Sequence, residues 1–314
     1  MSLVIRPLAE PDLPQTWHIA RTAFGNFFGA PDREKFWTDL DLHYGRFRAA
    51  HVEAFVAEED GTIVGSNFAT RWGSVGFFGP LSTRIDLQNR GIGQSLAAAV
   101  CEVFARWQVS HAGLFTFAES AKHVHLYGKF GFHPRFLTAL MTTPAQSGGL
   151  PVAASRYSVL PAAERAAAEA AARELCDELY EGLDLGGEIR AVAAQGLGDT
   201  LLLRDGTSRL AGFAVCHWGP ASEAGAGCLY VKFGAARPGP GAEIRFGALL
   251  DAAAALADVA GMATVLAGVN LARAEAYGQM KARGFRTVFQ GVAMHRNNES
   301  GYSRLGLHIL DDWR

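Results

Sequence analysis

Hydrophobic positions along this chain follow two periods. Residues 62–72 and 210–218 read as long strands, and each follows a shorter apolar run, residues 54–57 and 201–203. Asp60-Gly61 and Asp205-Gly206 stand between the runs, so each pair predicts a β-hairpin. Both hairpins carry a glycine early in the second strand (Gly65, Gly212) and end in Trp-Gly. Between and after them the period changes to that of a helix. Leu96, Ala99, Val100, Val103, Phe104 and Trp107 fall on one helical face, and residues 161–179, rich in alanine and glutamate, form the clearest helix of the second half. A further strand and a short helix ending in Gly-Phe follow in each half, at Gly131-Phe132 and Gly284-Phe285. The chain therefore reads as one plan used twice. Residues 142–151, Thr-Thr-Pro-Ala-Gln-Ser-Gly-Gly-Leu-Pro, have linker composition. They predict a first domain over 1–145 and a second over 150–314.

Between a strand over residues 75–83 and the first amphipathic helix lies Gln88-Asn89-Arg90-Gly91-Ile92-Gly93, followed by Gln94 and Ser95. Two glycines let the backbone turn tightly at a helix N-terminus, where unpaired N–H groups and the helix dipole favour an anion. A plain glycine-rich turn has the same look. For a phosphate cradle, two familiar forms fail. Leu96 stands where a dinucleotide fingerprint needs its third glycine, and no Gly-Lys-Ser/Thr begins the helix. The remaining pattern, Gln/Arg-x-x-Gly-x-Gly/Ala, resembles the acetyl-CoA loop of the GNAT acetyltransferase superfamily, and the element order of both halves resembles the GNAT fold.

That resemblance implies an α+β fold of two consecutive domains, each a mixed, splayed β-sheet flanked by helices. It implies acetyl-CoA as cosubstrate, with its diphosphate on residues Gln88, Asn89, Arg90, Gly91, Ile92, Gly93, Gln94 and Ser95. It also implies that the pantetheine arm pairs with the backbone of Leu81, Ser82 and Thr83. The family often has Val at the place of Thr83 and Pro at that of Ile85; main chain makes the contact, so neither change matters much. Tyr127-Gly128-Lys129-Phe130-Gly131-Phe132 matches a motif whose tyrosine protonates the departing thiolate. A phenol of pKa about 10 lies roughly 2 kcal/mol above a thiol near ~8.5, a gap that a preorganised site offsets. Ser120 stands where the family often binds cofactor through asparagine. For the base, Glu119 at the end of the strand over residues 114–118 accepts the amine proton or else remains a helix-terminal carboxylate; His123 and His125 compete with it. No histidine or cysteine spacing suggests a metal.

In the second half, Ala236 replaces the Gln/Arg of the loop, Pro238 and Pro240 remove N–H donors, and Met280 takes the tyrosine position. This half is expected to be a degenerate copy that supports the first. Phe24, Phe27, Phe28, Phe36, Trp37, Trp72, Phe77 and Phe78 make the region of the acceptor unusually aromatic, which suits an apolar amine as well as it suits a core.

Composition narrows the rest. A formal charge of −2 gives no nucleic-acid footprint, and the four cysteines, each in an apolar run, read as buried thiols. No 18-residue apolar run and no secretion signal is present, so a cytoplasmic protein without membrane attachment is expected, as a monomer or homodimer. The expected activity is N-acetyl transfer to a primary amine of a small molecule, by direct attack in a ternary complex. The alternative is an acyl-CoA-binding sensor or scaffold without catalysis.

Overall fold

Asp60 and Gly61 both adopt left-handed backbone, with φ of +49° and +80°, so the first hairpin turns within two residues. The second hairpin needs a longer loop, in which the Asp205 carboxylate accepts hydrogen bonds from the Thr207 and Arg209 amides. The computed structural model describes residues 3–314. Its first half runs β1 (Leu3–Pro7), α1 (Leu13–Phe27), α2 (Tyr44–Phe47), β2 (Val52–Glu59), β3 (Thr62–Trp72), β4 (Val75–Phe78), β5 (Ser82–Thr83), α3 (Ile92–Trp107), β6 (His111–Thr116), α4 (Ala121–Gly128) and β7 (Phe132–Pro144). The second runs β8 (Ala154–Arg156), α5 (Ala162–Leu179), α6 (Gly186–Gln195), β9 (Gly198–Arg204), β10 (Leu210–Gly219), β11 (Gly225–Ala236), α7 (Ala242–Val259), β12 (Thr264–Asn270), α8 (Ala274–Ala282), β13 (Arg286–Arg296) and β14 (Ile309–Leu310). The repeated plan is present as expected. The 3.6-residue stripe on α3 buries Leu96, Val100, Val103 and Phe104 against the sheet.

The halves share one mixed sheet in the order β1-β2-β3-β4-β6-β13-β7-β12-β11-β10-β9-β8. Each half thus lends its last long strand to the other. Strand β13 lies between β6 and β7, pairing Val292 with Thr116 and Arg286 with Thr142. Strand β7 in turn pairs with β12, from Thr264–Pro144 to Asn270–Thr138. Thr142, Thr143 and Pro144, linker by composition, are therefore the end of a strand, and the connection itself spans residues 145–153. The seam between halves is a core of its own, in which Trp72 and Phe77 meet Phe233 and Trp313. Two of the aromatic residues expected at an acceptor site are spent there, because β3 and β4 turn them toward the other copy. The four cysteines are free thiols; Cys176 and Cys216 are buried and Cys101 and Cys228 half-buried. Among the described residues, no helix is long and apolar enough to cross a membrane.

The buried histidines with an unpartnered ring nitrogen include His43, His111 and His295. Desolvation, the leading cause in each, drops their pKa values from 6.5 to about 3, 4 and 3 respectively. They stay neutral in the fold, whereas the unfolded chain protonates them below its pKa of 6.5. Their contribution is complete above pH 6.5 and is lost as pH falls from there toward 3–4. Urea denaturation should therefore show stability declining between pH 6.5 and 4.5, before most paired carboxylates titrate. A flat profile across that window would contradict it.

Candidate active site

Strands β4 and β6 run parallel only as far as Phe78 and Leu114. Beyond that point Gly79-Pro80 breaks the ladder, since proline has no N–H to donate. The continuation, Ser82–Thr83, pairs with β3 instead, while Phe115 and Thr116 of β6 pair with β13. The strand expected over residues 75–83 is therefore two pieces, and the break opens the sheet. A cavity of about 920 Å³ occupies the opening, toward the upper end of the usual ~300–1,000 Å³ for small-molecule sites.

The glycine loop forms one end of this cavity. Gly91 is the N-cap of α3 at φ +84°, a left-handed conformation that favours glycine, and Asn89 is also left-handed at +67°. The N–H groups of Gly91, Ile92, Gly93 and Gln94 find no acceptor among the described residues and lie at the positive end of a 16-residue helix. Lys122 of α4 and Lys129 at its C-cap flank the loop: Lys122 donates to Gln88 at 3.0 Å and Lys129 to Gln94 at 3.3 Å. Gln88, Asn89, Gly91, Ile92, Gly93 and Gln94 line the cavity, as do Leu81, Ser82, Thr83 and Ser120. Arg90 and Ser95 do not; Arg90 pairs with Glu59 at 2.7 Å. Ser120 is the N-cap residue of α4, yet its hydroxyl makes no capping bond.

His123 and Tyr127 stand one turn apart on α4, the spacing that puts two side chains on one helix face, and both line the cavity. Tyr127 packs edge-on against Phe78 at 5.5 Å between centroids, and its hydroxyl has no hydrogen-bond partner among the described residues. Burial pushes the phenol well above its ordinary pKa, so it keeps its proton at neutral pH. His123 is shifted down from 6.5, first by burial and then by the adjacent Lys122 charge, so its ring is neutral near pH 7. Glu119 is exposed and does not line the cavity, because the turn after β6 points it outward.

The second half supplies much of the opposite wall: Glu223, Leu266, Val288, Phe289, Trp313 and Arg314. A supporting role for this half was expected, but no motif or period singled out these residues. Trp313 lies on β6 at Gly113, where any β-carbon would be 2.1 Å from the indole ring. Phe117, at the end of β6, was likewise missed, although its place after an apolar strand was visible. Of the expected aromatic wall, Phe24, Phe27, Phe28, Trp37 and Phe78 are present, whereas Phe36 does not line the cavity.

The corresponding opening in the second half, between β11 and β12, holds part of the chain itself. The strands pair only from Cys228–Thr264 to Val231–Ala267. Past that point Ile309 and Leu310 pair with Ala235 and Gly234, and the Ala236 amide donates to the His308 carbonyl at 3.0 Å. Asp312 fills the space over Gly268 and accepts from the Tyr230 hydroxyl at 2.9 Å. The loop of this half is also closed on itself. Arg245 donates to the carbonyls of Arg237, Pro238, Gly239 and Pro240. Met280 is fully buried in the apolar core.

Three solved structures illustrate the likeness in fold. A provisionally assigned acetyltransferase from Pyrococcus horikoshii superposes with a TM-score of 0.69 at 15% identity, over 99% of this chain and 95% of that one. A GCN5-related N-acetyltransferase from Sphaerobacter thermophilus gives 0.59 at 16%, over 94% and 95%. A tandem GNAT protein from the clavulanic acid biosynthesis pathway gives 0.56 at 14%, over 94% and 98%. Residues 13–132 match the acetyltransferase (GNAT) family. The family match thus falls within the first half, and the whole chain has the fold of tandem GNAT proteins. No curated protein matches its sequence significantly. The family match falls on the half that holds the open cavity.

Proposed function

We propose that the first half is an N-acetyltransferase that moves the acetyl group of acetyl-CoA to a primary amine of a small molecule, in a ternary complex. The observation that carries this reading is one cavity that brings together the split strands, the open helix N-terminus and Tyr127. In this reading the diphosphate sits on the N–H groups of residues 91–94 and the pantetheine arm lies along Leu81–Thr83. The amine nitrogen attacks the thioester carbonyl carbon, the C–S bond breaks, and the Tyr127 hydroxyl gives its proton to the departing sulfur. His123, neutral and on the same helix face, takes the proton released by the amine. Glu119 has no part in this scheme, and neither does Glu223, whose carboxylate is engaged by Arg46 and Lys232. The second half binds no coenzyme, since its own chain occupies the equivalent gap.

Tyr127→Phe should lower turnover at least tenfold, measured as thiol release, while acetyl-CoA affinity by calorimetry stays within about twofold; unchanged turnover removes the acid assignment. Acetyl-CoA binding without thiol release for any amine would favour a sensor over an enzyme.

A further inference from the structure

The outer part of the cavity is walled by rings from both copies. Phe24, Phe27 and Phe28 come from the end of α1, Trp37 from the segment after it, Phe117 from the end of β6 and Phe289 from the exchanged strand β13. Phe27 stacks on Phe117 at 4.0 Å between centroids, and Phe24 meets Trp37 at 4.9 Å. Phe28 stands edge-on to Phe117 at 5.4 Å and to Phe289 at 5.7 Å. Such a set offers flat apolar faces and few hydrogen-bonding groups.

The charges of the wall point the same way. Among the described residues, Glu223 is the one acidic side chain that lines the cavity, and it is already spent. It accepts two hydrogen bonds from Arg46, at 2.8 and 2.7 Å, and one from Lys232 at 2.7 Å, all three side chains being buried. The other charged side chains of the lining are cations. Lys122 and Lys129 stand by the glycine loop, and the Arg314 guanidinium lies 3.6 Å from the centre of the Tyr230 ring. An amine entering here finds ring faces for its ammonium. A second ammonium elsewhere on the same molecule would lose water with no counterion to replace it.

We propose that the acceptor of this protein is a monoamine carried on an aryl or similarly flat apolar body, and that polyamines and multiply charged amino sugars are rejected. This rests on the transferase reading above but is tested apart from it, because recognition is measured without turnover.

The full chain saturated with coenzyme A is titrated by calorimetry with phenethylamine and with spermidine, and thiol release from acetyl-CoA is followed with the same two amines. Phenethylamine is expected to bind at least tenfold more tightly and to give at least tenfold higher kcat/KM. Phe289→Ala should weaken phenethylamine binding at least fivefold, with Phe289→Tyr restoring most of it. Trp37→Ala gives a second check from the other copy, and circular dichroism establishes that each variant is folded. Spermidine binding as tightly as phenethylamine, or no binding of phenethylamine, overturns the proposal. Phenethylamine binding without thiol release upholds it and overturns acetyl transfer.

Discussion

Replacing Gly91 with glutamate is expected to abolish acetyl-CoA binding, by at least a hundredfold in calorimetry. Gly91 holds φ +84° at the N-cap of α3, where a side chain is strained by about 1–2 kcal/mol. The strain is the smaller effect. A carboxylate placed beside the free N–H groups of residues 91–94 would compete for the same donors and repel the diphosphate. Gly239→Glu is the matched control. Gly239 has φ +91°, and nothing lies within 4 Å of an added β-carbon at either position. The backbone penalty is therefore equal, but affinity should stay within about twofold, because the second loop is closed by Arg245 and the second gap by Ile309–Leu310. Equal losses at both sites would mean two live pockets.

Arg46→Met is expected to destabilise the whole chain by about 3–5 kcal/mol, the usual result of removing one partner from a buried ion pair. Arg46 belongs to the first half and Glu223 to the second. Its guanidinium also donates to the Gly79 carbonyl, at the point where β4 leaves the ladder, and to the Arg314 carbonyl. The loss falls toward the lower end because Lys232 still neutralises Glu223. Adding Glu223→Gln should deepen the loss, because it leaves the buried Lys232 ammonium without its counter-charge. Urea denaturation measures both; a loss under about 1 kcal/mol for the single variant would show that the pair contributes little.

What could be read in the sequence follows from what periodicity reports. A 3.6-residue period tells which side of a helix faces the core, so the buried face of α3 was legible, while β3 was bounded by its Asp60-Gly61 turn and by Trp72-Gly73. The Gly91 loop was legible because its backbone demands leave few residue choices. Periodicity does not name the neighbour across a ladder, so the exchange of β7 and β13 left no trace, and Thr142–Pro144 looked like linker. Trp72 and Phe77 show the same limit: an aromatic residue facing inward is equally compatible with a pocket and with a seam between copies. The closure of the second gap depends on Ile309–Leu310, two residues too short for any pattern. Glu119 and His123 were separable only by the direction in which the turn and helix after β6 point them.

The interleaved strands also constrain how such a protein changes over generations. A duplicate relieved of holding coenzyme would ordinarily be free to decay or to be lost. Here the last long strand of the second copy, β13, is an internal member of the shared sheet and carries Phe289 to the wall of the cavity. Substitutions in the second copy are thus screened through the packing of the first, and on the proposed reading tuning toward a new acceptor can begin in either.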